Sequence, residues 1–453
     1  MVLAFTMAAP QAEVIGHNTP VTPLTEARIQ KEVPAEQRGA WIEYLHRSAQ
    51  QMSSDKAALA KERAGLAELP PLPLQGYSAR ALPLDRDAAF YRSAEARRTG
   101  EILLSFQTPA GGWSKNLRFN EPRQRGQAYA TGNAAPTPPK PDDFDAPHDV
   151  HWHYIGTLDN DATNTELHFL AKLAAAWPGH EGDAFRAAFL RGVEYLLKAQ
   201  YPNGGWPQVY PLEGGYHDAI TFNDDAETES AELLSNVARG ADVKNEAGAA
   251  ETFAFVPVEL RTRAQRAVDK ALECILRAQV RVPAAAARVP GHASGEVLTV
   301  WAQQYDPLTL EPCSARNYEM RSLAAGESAS AVEYLMSLPH PNAPIVAAVD
   351  AAVLWFRAHQ INGYAWTGGR NTPGGRRLVA EAGAGPLWPR YTALTTGLPI
   401  FGDRDKTIHD DVMELSLERR NGYAWYGEAP KHVLDEYAAW KRRAGTAAAS
   451  YAK

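Results

Sequence analysis

The chain has 453 residues, 45% of them hydrophobic and 22% charged, and carries a net charge of −7. That length buries a full core without covalent staples, and the composition excludes disorder along the whole chain. The acidic balance argues against a general nucleic-acid binder, which needs a basic footprint. It leaves room for an anionic substrate where a divalent metal supplies positive charge locally.

From the N-terminus, MVLAFTMAAPQA (1–12) has the apolar run and small residues that end a signal peptide but no positive n-region. It reads as a truncated signal or as a loose terminus, and export or a periplasmic location is the expectation. No stretch has the roughly 18 consecutive apolar residues of a membrane helix, so no membrane partner is expected. Residues 1–90 form an extension, with helical stretches at about 24–49 and 52–67 followed by LPPLPLQ. A catalytic region is expected over 91–443, and 444–453 form a C-terminal tail. The two cysteines, Cys274 and Cys313, exclude a disulfide scaffold and a four-cysteine zinc site.

One pattern recurs inside the main region. ILLSFQTPAGGW (102–113), YLLKAQYPNGGW (195–206) and WFRAHQINGYAW (355–366) each end an apolar helical stretch at Gln107, Gln200 or Gln360. Trp113, Trp206 or Trp366 follows six residues later. ILRAQ (275–279) is a fainter version, with Trp301 further on. Phe189, Val193, Leu196 and Leu197 make a helical stripe that Pro-Asn-Gly-Gly terminates. Successive glutamines lie 93, 79 and 81 residues apart, room for a helical hairpin per unit. Such units bury their faces only against neighbours. The expected fold is therefore all-α, an incomplete α/α toroid with long irregular loops. Residues 118–150, 240–262 and 282–296 read as inserted surface loops.

Four segments carry candidate chemistry. In TLDNDATNTELHFLAKL (157–173), Asp159, Asn160 and Asp161 open a helix whose apolar stripe is Leu167, Leu170, Ala171 and Ala174. Asp and Asn cap helices routinely, but neighbouring carboxylates and amides also supply the oxygen ligands calcium requires. ITFNDDAETESAELL (220–234) repeats the arrangement with Asn223, Asp224 and Asp225, and two such clusters at equivalent helix starts favour a shared cation site. In SARNYEMRSLAAGES (314–328), Arg316 stands beside Tyr318 and Glu319. In GPLWPRYTALTTGLPIFGDRD (385–405), Arg390 and Arg404 stand out, and Asp403 and Asp405 flank Arg404 as salt-bridge partners.

These segments, with GGWSKN (111–116) and NGGWPQVYPL (203–212), come in the order seen in family 10 polysaccharide lyases, which the chain resembles over about 100–430. The resemblance implies a pectate lyase on a toroid that cleaves α-1,4-linked polygalacturonate by calcium-dependent anti β-elimination. It implies that Asp159 and Asn160, with Asp224 and the adjacent Asp225, hold Ca2+ near the +1 sugar. Arg316 would be the catalytic base. Arg390 and Arg404 would bind substrate carboxylates, and Lys115, Trp301 and Tyr318 would be further substrate contacts. The expected partner is pectate and the expected state a monomer. One departure is Asp161, which stands where the family usually has glycine.

Two other functions fit the residues less well. A toroid glycoside hydrolase on uronic-acid oligosaccharides would use Asp159 and Asp224 as acid and base. A non-catalytic pectin-binding protein would have no need of all three arginines. Finally, His148, His151 and His153 in PHDVHWH invite a zinc site, but the sequence offers no second ligand motif to complete it.

Overall fold

The computed structural model describes residues 13–76, 82–132, 142–240, 253–291 and 293–451. The possible signal remnant, the centre of the Pro-rich insertion and much of the 240–262 insertion lie outside the described residues. Helices dominate, and the described strands are two to four residues long. The chain forms two compact units, one built from residues 21–278 and 304–311, the other from 279–303, from 312 onward and from the described residues before Val21.

The first unit begins with α1 (Glu26–Glu32), capped by Thr25, and α2 (Ala35–Arg63). The break falls at Val33–Pro34 and not near residue 50, where the sequence suggested it. Pro34 cannot donate an N–H and biases its predecessor out of the helical region, whereas the Gln-Gln-Met-Ser-Ser run holds no breaker. Helix α2 docks on the main body through Trp41 and Tyr44, whose rings lie 5.3 and 4.7 Å from that of Tyr201. The Tyr44 hydroxyl donates to the Ala199 carbonyl at 2.8 Å. Then follow α3 (Ala88–Tyr91), α4 (Ala94–Phe106), α5 (Asn164–Ala176), α6 (Asp183–Ala199), α7 (Ala226–Arg239) and α8 (Val258–Ala278). The pairs α5/α6 and α7/α8 are helical hairpins, and α4 packs on both α5 and α6.

The second unit holds α9 (Ala284–Ala287), α10 (Ala325–Ser337), α11 (Ala343–His359), α12 (Leu417–Gly422) and α13 (Ala429–Tyr451). Helices α10, α11 and α13 pack together. Beside them, short antiparallel pairs, including Leu323–Ala324 with Tyr391–Thr392 and Trp388–Pro389 with Tyr426–Gly427, surround an aromatic core of Tyr391, Phe401, Trp425 and Tyr426. The 282–296 stretch is not a plain loop: Arg281–Pro283 pairs with Glu296–Leu298 around α9.

The recurring glutamine has a structural task. A helix ending in the core leaves carbonyls without partners, and so does the loop that follows it. Gln107 Nε2 donates to the Gly111 carbonyl of its own loop (2.8 Å) and to the Ala188 carbonyl of α6 (2.9 Å). Gln200 does the same with Gly204 and with Ala267 of α8, both at 2.8 Å. Gln279 follows with Thr299 (2.7 Å) and Ala348 of α11 (2.9 Å). Gln107 and Gln200 thus each tie a helix end to its loop and to a later helix. The indole N–H of Trp113 donates to Leu103 O and that of Trp206 to Leu196 O, four residues before the respective glutamine. Their backbone N–H groups reach the next hairpin, at Thr163 Oγ1 (3.0 Å) and Glu227 Oε2 (2.9 Å).

The copy at Gln360 departs from this. Gln360 is exposed and Trp366 only half-buried in the hairpin Tyr364–Thr367/Arg377–Ala380. The indole on the equivalent carbonyl, Phe356 O, belongs to Trp388 at 2.8 Å. The inserted hairpin displaces the anchor along the chain and leaves its place in the fold unchanged.

At the start of α5, Glu166 is fully buried beneath the first turn, close to the backbone N–H groups of Thr163 and Glu166 but with neither oxygen in a full hydrogen bond. Burial pushes its carboxyl up to about 8, so it carries a proton at neutral pH.

Two outcomes follow. Gln200→Ala strands two buried carbonyls and destabilises by about 2–4 kcal/mol, whereas Gln360→Ala changes stability by less than about 0.5 kcal/mol. Urea unfolding of the two variants checks the contrast. Because the native state holds the Glu166 proton longer than the unfolded chain, stability falls as pH rises from 4.5, the ordinary value, to about 8. Glu166→Gln removes that fall. Relative to the variant, wild type loses on the order of a few kcal/mol across the window, read from unfolding at a series of pH values.

Candidate active site

The two Asp/Asn clusters are matched turns. Asp159–Asp161 and Asn223–Asp225 are single 3₁₀ turns immediately before α5 and α7. In each, the second and third residues are left-handed: Asn160 and Asp161 at φ 53° and 58°, Asp224 and Asp225 at 50° and 58°. Asn and Asp tolerate this region best among residues with a Cβ, but four such positions together still carry a backbone cost.

A polar web holds the turns against each other. Lys115 Nζ meets Asp159 Oδ2 at 2.5 Å, and Gln208 Nε2 donates to Asp159 Oδ1 at 2.7 Å. Asn160 N–H donates to Asp224 Oδ2 at 3.1 Å, as does Asn223 Nδ2 at 2.7 Å. Asn160 Nδ2 donates to Asn116 Oδ1 at 3.0 Å. The Lys115 ammonium also lies 3.3 Å from the centroid of the Tyr154 ring, a cation–π contact. Asp159 is buried, Asp161, Asp224 and Asp225 are half-buried, and Asn160 is exposed.

Carboxylates are crowded here. Burial, then Asp225 and Asp159, push Asp161 up to about 6. Burial, then Asp161 and Asp225, hold Glu229 well above the usual carboxylate range. Glu229, one turn into α7, escaped the sequence reading because a helical Glu looks like any solvated charge. A cluster of hard oxygen donors with excess negative charge suits a divalent cation such as calcium.

The second unit gathers the arginines. Arg316 Nη1 contacts Glu319 Oε1 at 3.4 Å and the Tyr318 hydroxyl at 3.3 Å, and its backbone N–H donates to Glu319 Oε2. Glu319 is buried, which works against its charge, but Arg316, the Tyr423 hydroxyl at 2.6 Å and Arg390 together keep it below the usual range. Arg390 Nη2 meets Glu327 Oε1 at 2.5 Å, and its guanidinium lies 4.7 Å from the Tyr423 centroid. Burial opposes the Arg390 charge, yet Glu327 and the flanking tyrosines fix it as a cation. Tyr423 and Tyr391 join hydroxyl to hydroxyl at 2.7 Å, and Tyr391 also donates to Gln303 Oε1.

Several expectations need correction. Arg404 has a guanidinium partner that the sequence did not suggest, and its backbone N–H donates to Asp403 Oδ1 at 2.7 Å. Its side chain contacts Glu418 at 2.7 Å, while Asp403 accepts from Ser416 and Asp405 from Thr407. Trp301 is fully buried and offers no face to a sugar; its N–H donates to Ser328 Oγ, as Trp206 does to Glu227. Tyr318 is 5% exposed, with the guanidinium of Arg419 4.1 Å and that of Arg404 5.5 Å from its ring centroid. It acts within the arginine cluster and not as an open stacking platform. Glu327, Tyr391, Tyr423 and Arg419 were missed; Arg419 sits in a helix start that reads as surface.

A family model described as pectic acid lyase matches residues 107–434. The family 10 polysaccharide lyase from Cellvibrio cellulosa is similar at 30% identity and a TM-score of 0.60, over 77% of this chain and 93% of that one. A mutant of that enzyme, solved in complex with trigalacturonic acid, matches at the same identity and TM-score over 78% and 97%. No curated protein matches. With the family model spanning most of the chain and these neighbours covered almost end to end, the chain belongs to the pectic acid lyase family and is a lyase.

Proposed function

We propose that the protein cleaves α-1,4-linked polygalacturonate by calcium-dependent anti β-elimination, releasing 4,5-unsaturated oligogalacturonates outside the cytoplasm. The catalytic region is 91–443, read as an incomplete α/α toroid acting as a monomer, with 1–90 as an extension and 444–453 as a tail. The observation that carries the calcium reading is the paired left-handed turn: Asp159, Asn160, Asp224 and Asp225 supply hard oxygen ligands where carboxylate crowding already raises Asp161 and Glu229. Calcium bound there withdraws charge from a substrate carboxylate and makes the adjacent C5–H more acidic.

The residues then divide the work. Arg390, held cationic by Glu327, and Arg404 bind and orient uronate carboxylates, and Lys115 adds a cation beside Asp159. Arg316 removes H5. The C5–H electron pair forms the C4–C5 double bond, the C4–O4 bond breaks, and its pair leaves on O4, which is then protonated. Glu319 favours the protonated guanidinium and so opposes this role. The 3.4 Å contact is long for an ion pair, however, and Glu319 is shared with the Tyr423 hydroxyl and the Arg316 amide, which weakens its hold.

Incubation of polygalacturonate with the enzyme, read by near-ultraviolet absorbance of the unsaturated product, is the direct test. Absorbance should rise with calcium, stop with EDTA and recover on adding calcium back. Reducing ends without absorbance would mean a hydrolase. Arg316→Ala should lower kcat by at least about 100-fold while leaving pectate binding within a few-fold of wild type. Unchanged turnover would remove Arg316 as the base, and binding with no turnover by wild type would mean a non-catalytic pectin-binding protein.

A further inference from the structure

A second cluster lies in the first unit, distinct from the oxygen-rich turns. The zinc reading of PHDVHWH lacked a second ligand motif, and the fold provides one in Glu213-Gly-Gly-Tyr-His217. Donor atoms of His153, Glu213 and His217 come within 4.8 Å of one another. Glu213 Oε1 lies 2.8 Å from His153 Nδ1 and 3.1 Å from His217 Nδ1, and the other oxygen, Oε2, accepts the Tyr154 N–H at 2.9 Å. All three side chains are less than a tenth exposed.

The protonation pattern follows from the partners. His217 Nδ1 faces two acceptors, Glu213 Oε1 and the Gly214 carbonyl, so it carries the ring proton. His217 Nε2 is buried without a hydrogen-bond partner. His153 Nε2 is buried and unpartnered as well. The atoms that converge are His153 Nδ1, Glu213 Oε1 and His217 Nδ1, and an ion taking the place of the ring protons between them would have all three as ligands. A cavity of about 350 Å³, lined by residues that include Arg63, Leu72, Val150, His151 and His153, gives access to the cluster at His153.

We propose that His153 and His217, with Glu213 between them, bind a zinc-class divalent ion. Imidazole donors select such an ion over calcium, which takes oxygen. The ion would staple the segment leading into Asp159 to the 208–218 segment. These already touch through Leu158 N–H to Gln208 O and Tyr210 N–H to Gly156 O, both at 2.9 Å. The Tyr154 ring, 4.7 Å from that of His217, carries the Lys115 ammonium on its face. The role is therefore a positioning one, and it does not rest on the lyase reading.

The test uses full-length protein stripped with EDTA, returned to excess calcium so that oxygen sites are filled, and titrated with zinc by calorimetry and with cobalt(II) by visible absorption. The expected result is uptake of one equivalent, a rise in Tm with zinc, and imidazole nitrogens in the X-ray absorption spectrum of the bound metal. His217→Ala should weaken uptake at least 100-fold, while the exposed His151→Ala leaves it within two-fold. No stoichiometric uptake by wild type, an oxygen-only coordination shell, or full uptake by folded His217→Ala would each overturn the proposal. The wild-type measurements decide even if the variant does not fold.

Discussion

The amide nitrogen of a buried glutamine, bonded at once to its own loop and to a later helix, is the interaction on which this architecture depends. A helix that ends inside the protein must find partners for the carbonyls around it, and water cannot serve there. Gln107, Gln200 and Gln279 each supply two donors from one amide group. The loop that follows is then held at both ends, and its tryptophan points back to the helix just finished. Because Trp113 and Trp206 also bond through their N–H groups to Thr163 and Glu227, the same device sets where α5 and α7 begin. The oxygen-rich turns lead into those two helices, so the scaffold and the turns are one construction.

That construction carries a local cost at the turns. Four residues with a Cβ occupy left-handed backbone, and their carboxylates repel one another. Asp161 adds to both terms, since glycine would relieve the conformation and remove a charge. Its side chain therefore adds both backbone cost and negative charge to the first turn. The arginine cluster is organised differently. Its cations are spread over tyrosine faces and buried glutamates, which fixes their directions while keeping their charge.

Much of this was legible in the residues. The Gln-to-Trp repeat marked the helix ends, and the Phe189, Val193 and Leu196 stripe matches the buried face of α6. Asp159, Asn160, Asp224 and Asp225 converge on matched turns, because a local motif before an amphipathic helix survives folding unchanged. What failed were judgements that depend on long-range contacts. Trp301 looked like a sugar platform and is an interior anchor. Gln360 matched the motif in sequence, but an inserted hairpin carries the indole of Trp388 to the position Trp366 was expected to fill. Glu213 and His217 gave no signal with His153, because about 60 residues separate groups that only the fold brings together, with His153 Nδ1 at 2.8 Å and His217 Nδ1 at 3.1 Å from Glu213 Oε1. Glu327 and Tyr423 were obscured for the same reason.

The displaced tryptophan also says how such a protein can vary. The anchoring tryptophan comes six residues after Gln107 and Gln200 and 28 after Gln360. What the core specifies is the carbonyl to be met, not the length of chain spent in reaching it. The span between glutamine and tryptophan is thus a port in the scaffold. Chain can be added there, and new surface built over the helix ends, without changing the register of any helix beneath.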